Sequence, residues 1–189
     1  GVNPISIEYS DGTKLMPASE AFHTDALGKS FIKVTYANGL TLFANLNKAG
    51  ESWTVENRTI PSPGFFARKA DGTVEAYSLD NDFVRSPEYI YGKVRKSPLA
   101  LDGFALEKGG AAIRPDGDRG FLIYPEGGFT NLAVTPAKLG LTAAKRYTLT
   151  FRDRDGKEIG KATLDTPGGV FKLPAPKPGV ACIEAAAVR

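Results

Sequence analysis

The chain has 189 residues, of which 42% are hydrophobic, so it can bury a core and is long enough for one large domain or two small ones. Its formal net charge is only +3, and its one basic cluster, Lys93 with Arg95 and Lys96, has no aromatic residues interleaved with it, which argues against a nucleic-acid partner. No apolar run approaches the roughly 20 residues that span a bilayer, which argues against a membrane partner, and no signal peptide is visible.

Short alternating segments punctuated by turn-forming residues run along the whole chain. Glycine contributes 21 residues and proline 13, and they fall between apolar runs, which favours short strands joined by tight turns. Residues 5–9 form the first predicted strand. The one predicted helix follows within residues 16–28, beginning at Pro17 or Ser19 and ending at Gly28.

A hairpin is predicted around Asn38-Gly39. A two-residue Asn-Gly turn would divide the apolar residues of the two strands between both faces of the hairpin. A three-residue loop at 37–39 instead pairs Val34 with Leu42 and places these residues on one face, so we expect Gly39 to be left-handed in a bulge. The predicted buried face consists of Ile32, Val34, Tyr36, Leu40, Leu42 and Ala44.

The rest of the chain predicts more strands and one linker. The charged and proline-broken segment 93–103 is the predicted linker, and residues 137–143 are predicted as a loop or a single helical turn. The sequence therefore predicts an all-β chain of two packed antiparallel β-sandwich modules, 1–95 and 96–189, with one short helix near the N-terminus. The remaining predicted strands lie within residues 52–55, 58–69, 72–79, 111–115, 120–126, 130–136, 146–153, 157–164, 169–176 and 179–188.

Both halves contain motifs made of turn and core residues. These motifs resemble those of the non-catalytic, immunoglobulin-like C-terminal β-sandwich domains of large bacterial glycoside hydrolases, of the α-galactosidase and α-amylase type. The matching positions are Tyr36, Asn38, Gly39, Ala44, Asn45, Trp53, Val55, Ile60, Pro61, Pro63, Gly64 and Phe65 in the first half, and Leu139, Gly140, Leu141, Tyr147, Thr148, Leu149, Asp155, Gly156, Lys157, Leu173, Pro174, Gly179, Val180 and Ala181 in the second.

The resemblance implies an accessory region whose partner is the catalytic domain of the same parent chain, located in the periplasm or outside the cell. Such enzymes keep their catalytic acid and nucleophile in a barrel of roughly 250 residues, which this chain has no room for. The sequence starts at Gly1 without a methionine, and we expect an excised piece of a longer protein. The single cysteine, Cys182, excludes an intrachain disulfide and leaves the compartment open.

Few residues are suited to catalysis or metal binding. The only histidine, His23, lies in a polar segment without recognisable partners and is expected at the surface. Cys182 lies in an alternating apolar strand, where cysteine behaves as a small hydrophobe. Segment 153–158 lacks the ligands of a calcium loop, and the glycine pairs lack the context of a phosphate loop, so we expect no metal or cofactor.

Paired carboxylates are the only support for a stand-alone hydrolase. Each pair lies in a turn between predicted strands, where aspartate stabilises the turn through its own backbone, and we favour that role over catalysis. The sequence therefore predicts no catalytic residues. The pairs are Asp80/Asp82, Asp116/Asp118 and Asp153/Asp155.

Aromatic side chains make carbohydrate binding the better alternative to a purely structural role, because sugar rings stack on exposed aromatic rings. Trp53 alternates with Val55 as a core residue does, so the core is favoured for it. Tyr89 and Tyr91 share a face beside the linker, which suits an interdomain contact or the rim of a site. The candidate carbohydrate-binding residues are Tyr89, Tyr91, Tyr77, Tyr124 and Trp53.

Overall fold

The computed structural model describes residues 2–188 and confirms an all-β fold in which every described pair of neighbouring strands is antiparallel. The chain divides into two units, Gly1–Ser86 and Pro87–Arg189. The face-to-face packing of complete sheets as sandwiches stays a prediction.

The boundary between the units falls after Ser86, whereas the sequence places it after Arg95. The difference has a simple cause: Ile90–Lys93 forms a strand that pairs with residues 110–113 of the second unit. The predicted linker also contains a strand, Leu99–Leu101, which pairs with residues 104–106. The charged residues and the proline of this segment therefore suggested a linker where the structure has strands.

The first unit contains one larger sheet and one separate hairpin. In the sheet the strands follow the order β9-β8-β7-β4-β3-β1-β2, and β5 pairs with β6 alone. The elements are β1 (Pro4–Ser10), β2 (Leu15–Pro17), α1 (Ala18–Ala21), α2 (Ala26–Lys29), β3 (Phe31–Tyr36), β4 (Leu40–Asn45), β5 (Trp53–Val55), β6 (Arg58–Ile60), β7 (Gly64–Lys69), β8 (Glu75–Ser78) and β9 (Asp82–Arg85).

Two single helical turns replace the one predicted helix. The break lies at Thr24, whose hydroxyl donates to the carbonyl of Ala21 (3.1 Å) and accepts from the backbone N–H of Ala26 (3.2 Å). Such local side-chain bonds compete with the helical backbone ladder. The second turn ends at Ser30 in a left-handed conformation, two residues beyond the predicted stop at Gly28.

The β3–β4 hairpin has the predicted register. Val34 pairs with Leu42 and Thr35 with Thr41, and Gly39 is left-handed with a φ of 80°. The backbone N–H of Gly39 donates to the carbonyl of Tyr36 at 3.0 Å, which closes the three-residue loop. The bulged hairpin is confirmed.

The predicted buried face of this hairpin is wrong. Its aliphatic residues are only half-buried, whereas Phe31, Phe43 and Asn45 on the opposite face are fully buried. The reason is the β5–β6 hairpin: Trp53 on β5 stacks on Phe31 with ring centroids 5.3 Å apart and meets the edge of Phe43 at 5.9 Å. Aromatic volume on one face, covered by a second layer, outweighs the larger number of aliphatic residues on the other.

The second unit is built around the long hairpin of β12 and β13. Its main sheet follows the order β15-β14-β17-β13-β12-β10, while β11 pairs with β12 and β16 with β13. Two short 3-10 turns, Pro136–Leu139 and Pro167–Gly169, connect the strands. The strands are β10 (Ile90–Lys93), β11 (Leu99–Leu101), β12 (Phe104–Pro115), β13 (Gly120–Val134), β14 (Arg146–Arg152), β15 (Glu158–Asp165), β16 (Phe171–Leu173) and β17 (Cys182–Ala187).

A glycine bulge divides this long hairpin into two parts. Gly109 pairs with Phe129 and the next residue, Gly110, pairs with Glu126, so Gly127 and Gly128 are left over in β13. The bulge joins what the sequence predicts as two separate strands. On one side of it the hairpin pairs with β10 and β17, and on the other with β11 and β16.

Aromatic rings from three strands form the centre of the second unit. Phe171 on β16 lies 5.1 Å from Phe121 on β13 and 5.4 Å from Tyr147 on β14, ring centroid to ring centroid. Tyr147 is fully buried, and its hydroxyl donates to the carbonyl of Thr142 (2.7 Å) and accepts from the backbone N–H of Ala144 (3.0 Å). The buried phenol is therefore satisfied, as a buried polar group requires.

Candidate functional site

Strand pairing in the second unit places the tyrosines of β10 and β13 on one face of the sheet. Tyr91 pairs with Ala112 on β12, and Ala112 pairs with Tyr124 on β13, so the two tyrosines flank a small residue. Tyr89 precedes Tyr91 by two positions and therefore shares its face. Standard strand geometry separates the backbones of Tyr91 and Tyr124 by about 10 Å, and those of Tyr89 and Tyr91 by about 7 Å.

A cleft of about 520 Å³ lies on this face, and we call it the tyrosine cleft. Tyr89, which is 42% exposed, and Tyr124, which is 37% exposed, line it together with Glu88 and Arg114. The remaining lining comes from Pro87, Ala112, Ile113 and Pro115. The cleft thus combines two accessible aromatic side chains with one cationic and one anionic group, which suits a ligand that has both apolar surfaces and hydroxyl groups.

A small polar network fixes Tyr91 beside the cleft. The Tyr91 hydroxyl donates to the Glu126 carboxylate, and Lys93 Nζ donates to the same carboxylate at 2.9 Å. Register explains the arrangement, because Lys93 and Glu126 both pair with Gly110, which has no side chain to separate them. The Tyr91 hydrogen bond, and after it the lysine, holds the pKa of Glu126 below its ordinary value.

Replacing Tyr91 with phenylalanine is expected to raise the pKa of Glu126 toward its ordinary value of 4.5, because the main donor to the carboxylate is lost. Since the folded-state pKa is the lowered one, this contact stabilises the unit fully above pH 4.5 and less as the pH falls through the folded-state value. A ¹³C NMR titration of the carboxyl group measures the shift. Tyr89→Phe is the control and should leave it unchanged, whereas an unchanged pKa in Tyr91→Phe would contradict the network.

Cys182 lies beside Tyr124 and is not activated as a nucleophile. It starts β17, which pairs with β13 next to Tyr124, and its side chain is half-buried. Burial raises the pKa of the thiol, so the protonated form predominates near neutral pH. Burial, and after it the neighbouring Cys182, also raises the pKa of the Tyr124 phenol. Both groups therefore act as neutral, weakly polar surfaces.

Trp53 and Tyr77 lie in the first unit, and neither residue lines the tyrosine cleft. Trp53 is 3% exposed and belongs to the aromatic core described above. Tyr77 is 7% exposed, its ring lies 5.5 Å from that of Phe83, and the Arg58 guanidinium lies 5.5 Å from the Tyr77 ring centroid. Neither ring offers a free face on which a sugar could stack.

The other candidate residues lie in turns, beside a turn or at the surface, and Asp82, predicted in a turn, begins β9 instead. Asp153 accepts the backbone N–H groups of Asp155 (3.0 Å) and Lys157 (2.9 Å), as a turn-stabilising aspartate does. Asp116 accepts from Arg119 at 2.9 Å, and Asp82 from the Ser78 hydroxyl at 2.7 Å. His23 is exposed.

Comparison with known proteins adds no family: no protein-family model, no curated protein and no solved structure matches the chain. The resemblance to glycoside hydrolase accessory domains therefore stays a prediction.

Within residues 2–188, no group of three or more histidine, cysteine, aspartate or glutamate side chains is placed to hold a metal ion. Neither helical turn in this described part is long and apolar enough to cross a membrane.

The sequence suggested the tyrosines of the cleft but missed its polar residues. Glu88 directly precedes Tyr89 in the chain, but Arg114 joins the tyrosines only through the pairing of β10 with β12. Strand β11 intervenes between these two strands in the chain. The one available signal was alternation: Tyr89, Tyr91 and Lys93 occupy every second position, as do Ala112 and Arg114. Alternation assigns residues to faces but does not say which strands are neighbours.

Proposed function

We propose that this chain is a non-catalytic accessory region of a larger carbohydrate-active enzyme and that its second unit binds polysaccharide in the tyrosine cleft. The observation that carries the proposal is the placement of Tyr89 and Tyr124 in one cleft with Arg114 and Glu88. Aromatic rings supply apolar contact area for the faces of sugar rings, and the charged groups can bond to their hydroxyls. Tyr91, held by Glu126, adds a third aromatic side chain whose orientation is already fixed.

The test is retention of the purified chain on polysaccharide-containing native gels, followed by titration with oligosaccharides of the polysaccharide that retards it. Tyr89→Ala and Tyr124→Ala should each weaken binding by roughly two- to tenfold, the worth of one aromatic contact. Phe22→Ala is the matched control, because Phe22 is a 75% exposed aromatic residue of the first unit. Migration unaffected by any polysaccharide would overturn the binding proposal, and turnover of an aryl glycoside would overturn the non-catalytic one.

A purely structural role is the second candidate, favoured by the aliphatic face of the first unit. Ile32, Val34 and Leu42 are half-buried there, and Ile7, which pairs with Val34, is 47% exposed. An apolar sheet face of this kind suits burial against another domain, and the catalytic domain of the same parent chain is the proposed partner. A chain that folds normally and binds no polysaccharide would leave this bracing role as its function.

A further inference from the structure

A second pocket lies in the second unit, at the edge of its main sheet, and no residue of the tyrosine cleft contributes to it. It has a volume of about 420 Å³. One wall is formed by Phe151 on β14 and by Gly160 and Ala162 on β15. The other wall is the segment from Leu173 to Val180, which links β16 to β17, and we call the space between them the edge pocket.

Small residues on β15 leave this space open. β15 is the last strand of its sheet, and among residues 2–188 it pairs only with β14. In this pairing Gly160 lies opposite Phe151, and Ala162 lies opposite the buried Leu149. Gly160 and Ala162 therefore lie on the same face of the sheet as two large apolar residues, but they are too small to fill the space beside them. A Cβ at Gly160 would make only an ordinary contact, 3.8 Å from the Phe151 ring.

The opposite wall is held in place at both ends and is stiff between them. Leu173 is buried, and the backbone N–H of Ala181 donates to the carbonyl of Arg152 at 2.8 Å. Between these anchors, Pro174, Pro176 and Pro178 fix their backbone φ angles and present apolar rings. A pocket with such a wall needs little ordering when a ligand enters.

The charge of the edge pocket is one-sided. Lys161 and Lys177 are its charged lining residues, and its described lining contains no carboxylate. Lys161 is paired with Glu158 at 3.0 Å, but both side chains are largely exposed, so this pair contributes little and can rearrange. An anionic group at the mouth of the pocket would therefore be favoured over a cationic one.

We propose that the edge pocket binds a small amphiphile, an apolar chain or ring that ends in one carboxylate. The apolar part lies between the small residues of β15 and the proline wall, and the carboxylate faces Lys177. The volume and the mainly apolar lining with a few charged groups match those of small-molecule sites in general. This proposal does not depend on the carbohydrate-binding role of the tyrosine cleft.

The first test is calorimetric titration of the whole chain with straight-chain carboxylates from hexanoate to decanoate, below the concentrations at which they form micelles. Affinity should increase about fourfold with each added methylene until the pocket is full. Ala162→Phe should abolish binding by filling the pocket, and Thr163→Phe, the exposed neighbour on the opposite face of β15, should not. Affinity that does not depend on chain length, or equal losses in the two variants, would overturn the proposal.

The second test separates the charge from the apolar contact. Lys177→Ala should weaken decanoate binding by up to about fivefold and leave decanol binding unchanged, whereas Lys172→Ala, an exposed lysine outside the lining, should affect neither. If a phenylalanine variant fails to fold, methyl NMR of the unaltered chain gives the answer. Decanoate should then shift the signals of Ala162 and Ile159, and shifts confined to other methyl groups would contradict the assignment.

Discussion

Replacing Trp53 with alanine is expected to lower the free energy of unfolding of the first unit by about 3–5 kcal/mol, the usual cost of removing a large buried aromatic side chain. Trp53 is 3% exposed and joins the β5–β6 hairpin to the larger sheet through Phe31 and Phe43. The variant leaves a cavity under the β5–β6 hairpin. Among the described strands this hairpin forms a two-stranded sheet of its own, so no neighbouring strand can move with it to close the cavity.

Urea unfolding followed by the NMR signals of first-unit residues measures this loss for that unit. Leu46→Ala is the control, since Leu46 is 54% exposed and its removal should change stability by no more than about 0.5 kcal/mol. Trp53→Phe should recover most of the stability, because it keeps an aromatic ring between the layers. A loss in Trp53→Ala as small as that in Leu46→Ala would show that the hairpin does not cover the core.

The second large effect is expected at the bulge of the long hairpin. Gly109 has a φ of 77°, and a Cβ at this position would lie only 2.0 Å from the carbonyl oxygen of Gly128. Gly109→Ala should therefore lower the free energy of unfolding by about 2–5 kcal/mol, through left-handed backbone strain and the displacement of β13.

Gly127 provides a matched control within the same bulge. It is also left-handed, with a φ of 66°, but a Cβ there would meet no atom within 4 Å. Gly127→Ala should therefore cost only the backbone strain, about 1–2 kcal/mol. Thermal unfolding of the two variants compares them directly, and equal losses would contradict the close approach of the two strands at Gly109.

The β3–β4 hairpin shows how far sequence alone could predict the fold. Its register followed from local facts, the alternation of apolar residues and a glycine able to adopt a positive φ, and both operate within a few residues. The identity of the buried face did not follow, because it depends on Trp53, which belongs to a separate hairpin further along the chain. Counting aliphatic residues favoured the wrong face for that reason.

The tyrosine cleft was predictable to a similar extent. The shared face of Tyr89 and Tyr91 is a consequence of their spacing, whereas Tyr124 reaches them only through the pairing of β10, β12 and β13. The edge pocket was not predictable from sequence. It exists because Gly160 and Ala162 are small residues and lie on β15, which is an edge strand. Chain order does not reveal which strand is left at the edge of a sheet.

The single tryptophan also allows the unfolding of the two units to be distinguished by spectroscopy. The chain has one tryptophan, and it lies in the core of the first unit, so its fluorescence follows the unfolding of that unit alone. The far-ultraviolet signal follows the strands of both units. Superimposable denaturation curves from the two signals would mean that the units unfold as one cooperative system, and displaced midpoints would give the stability of each unit without cutting the chain.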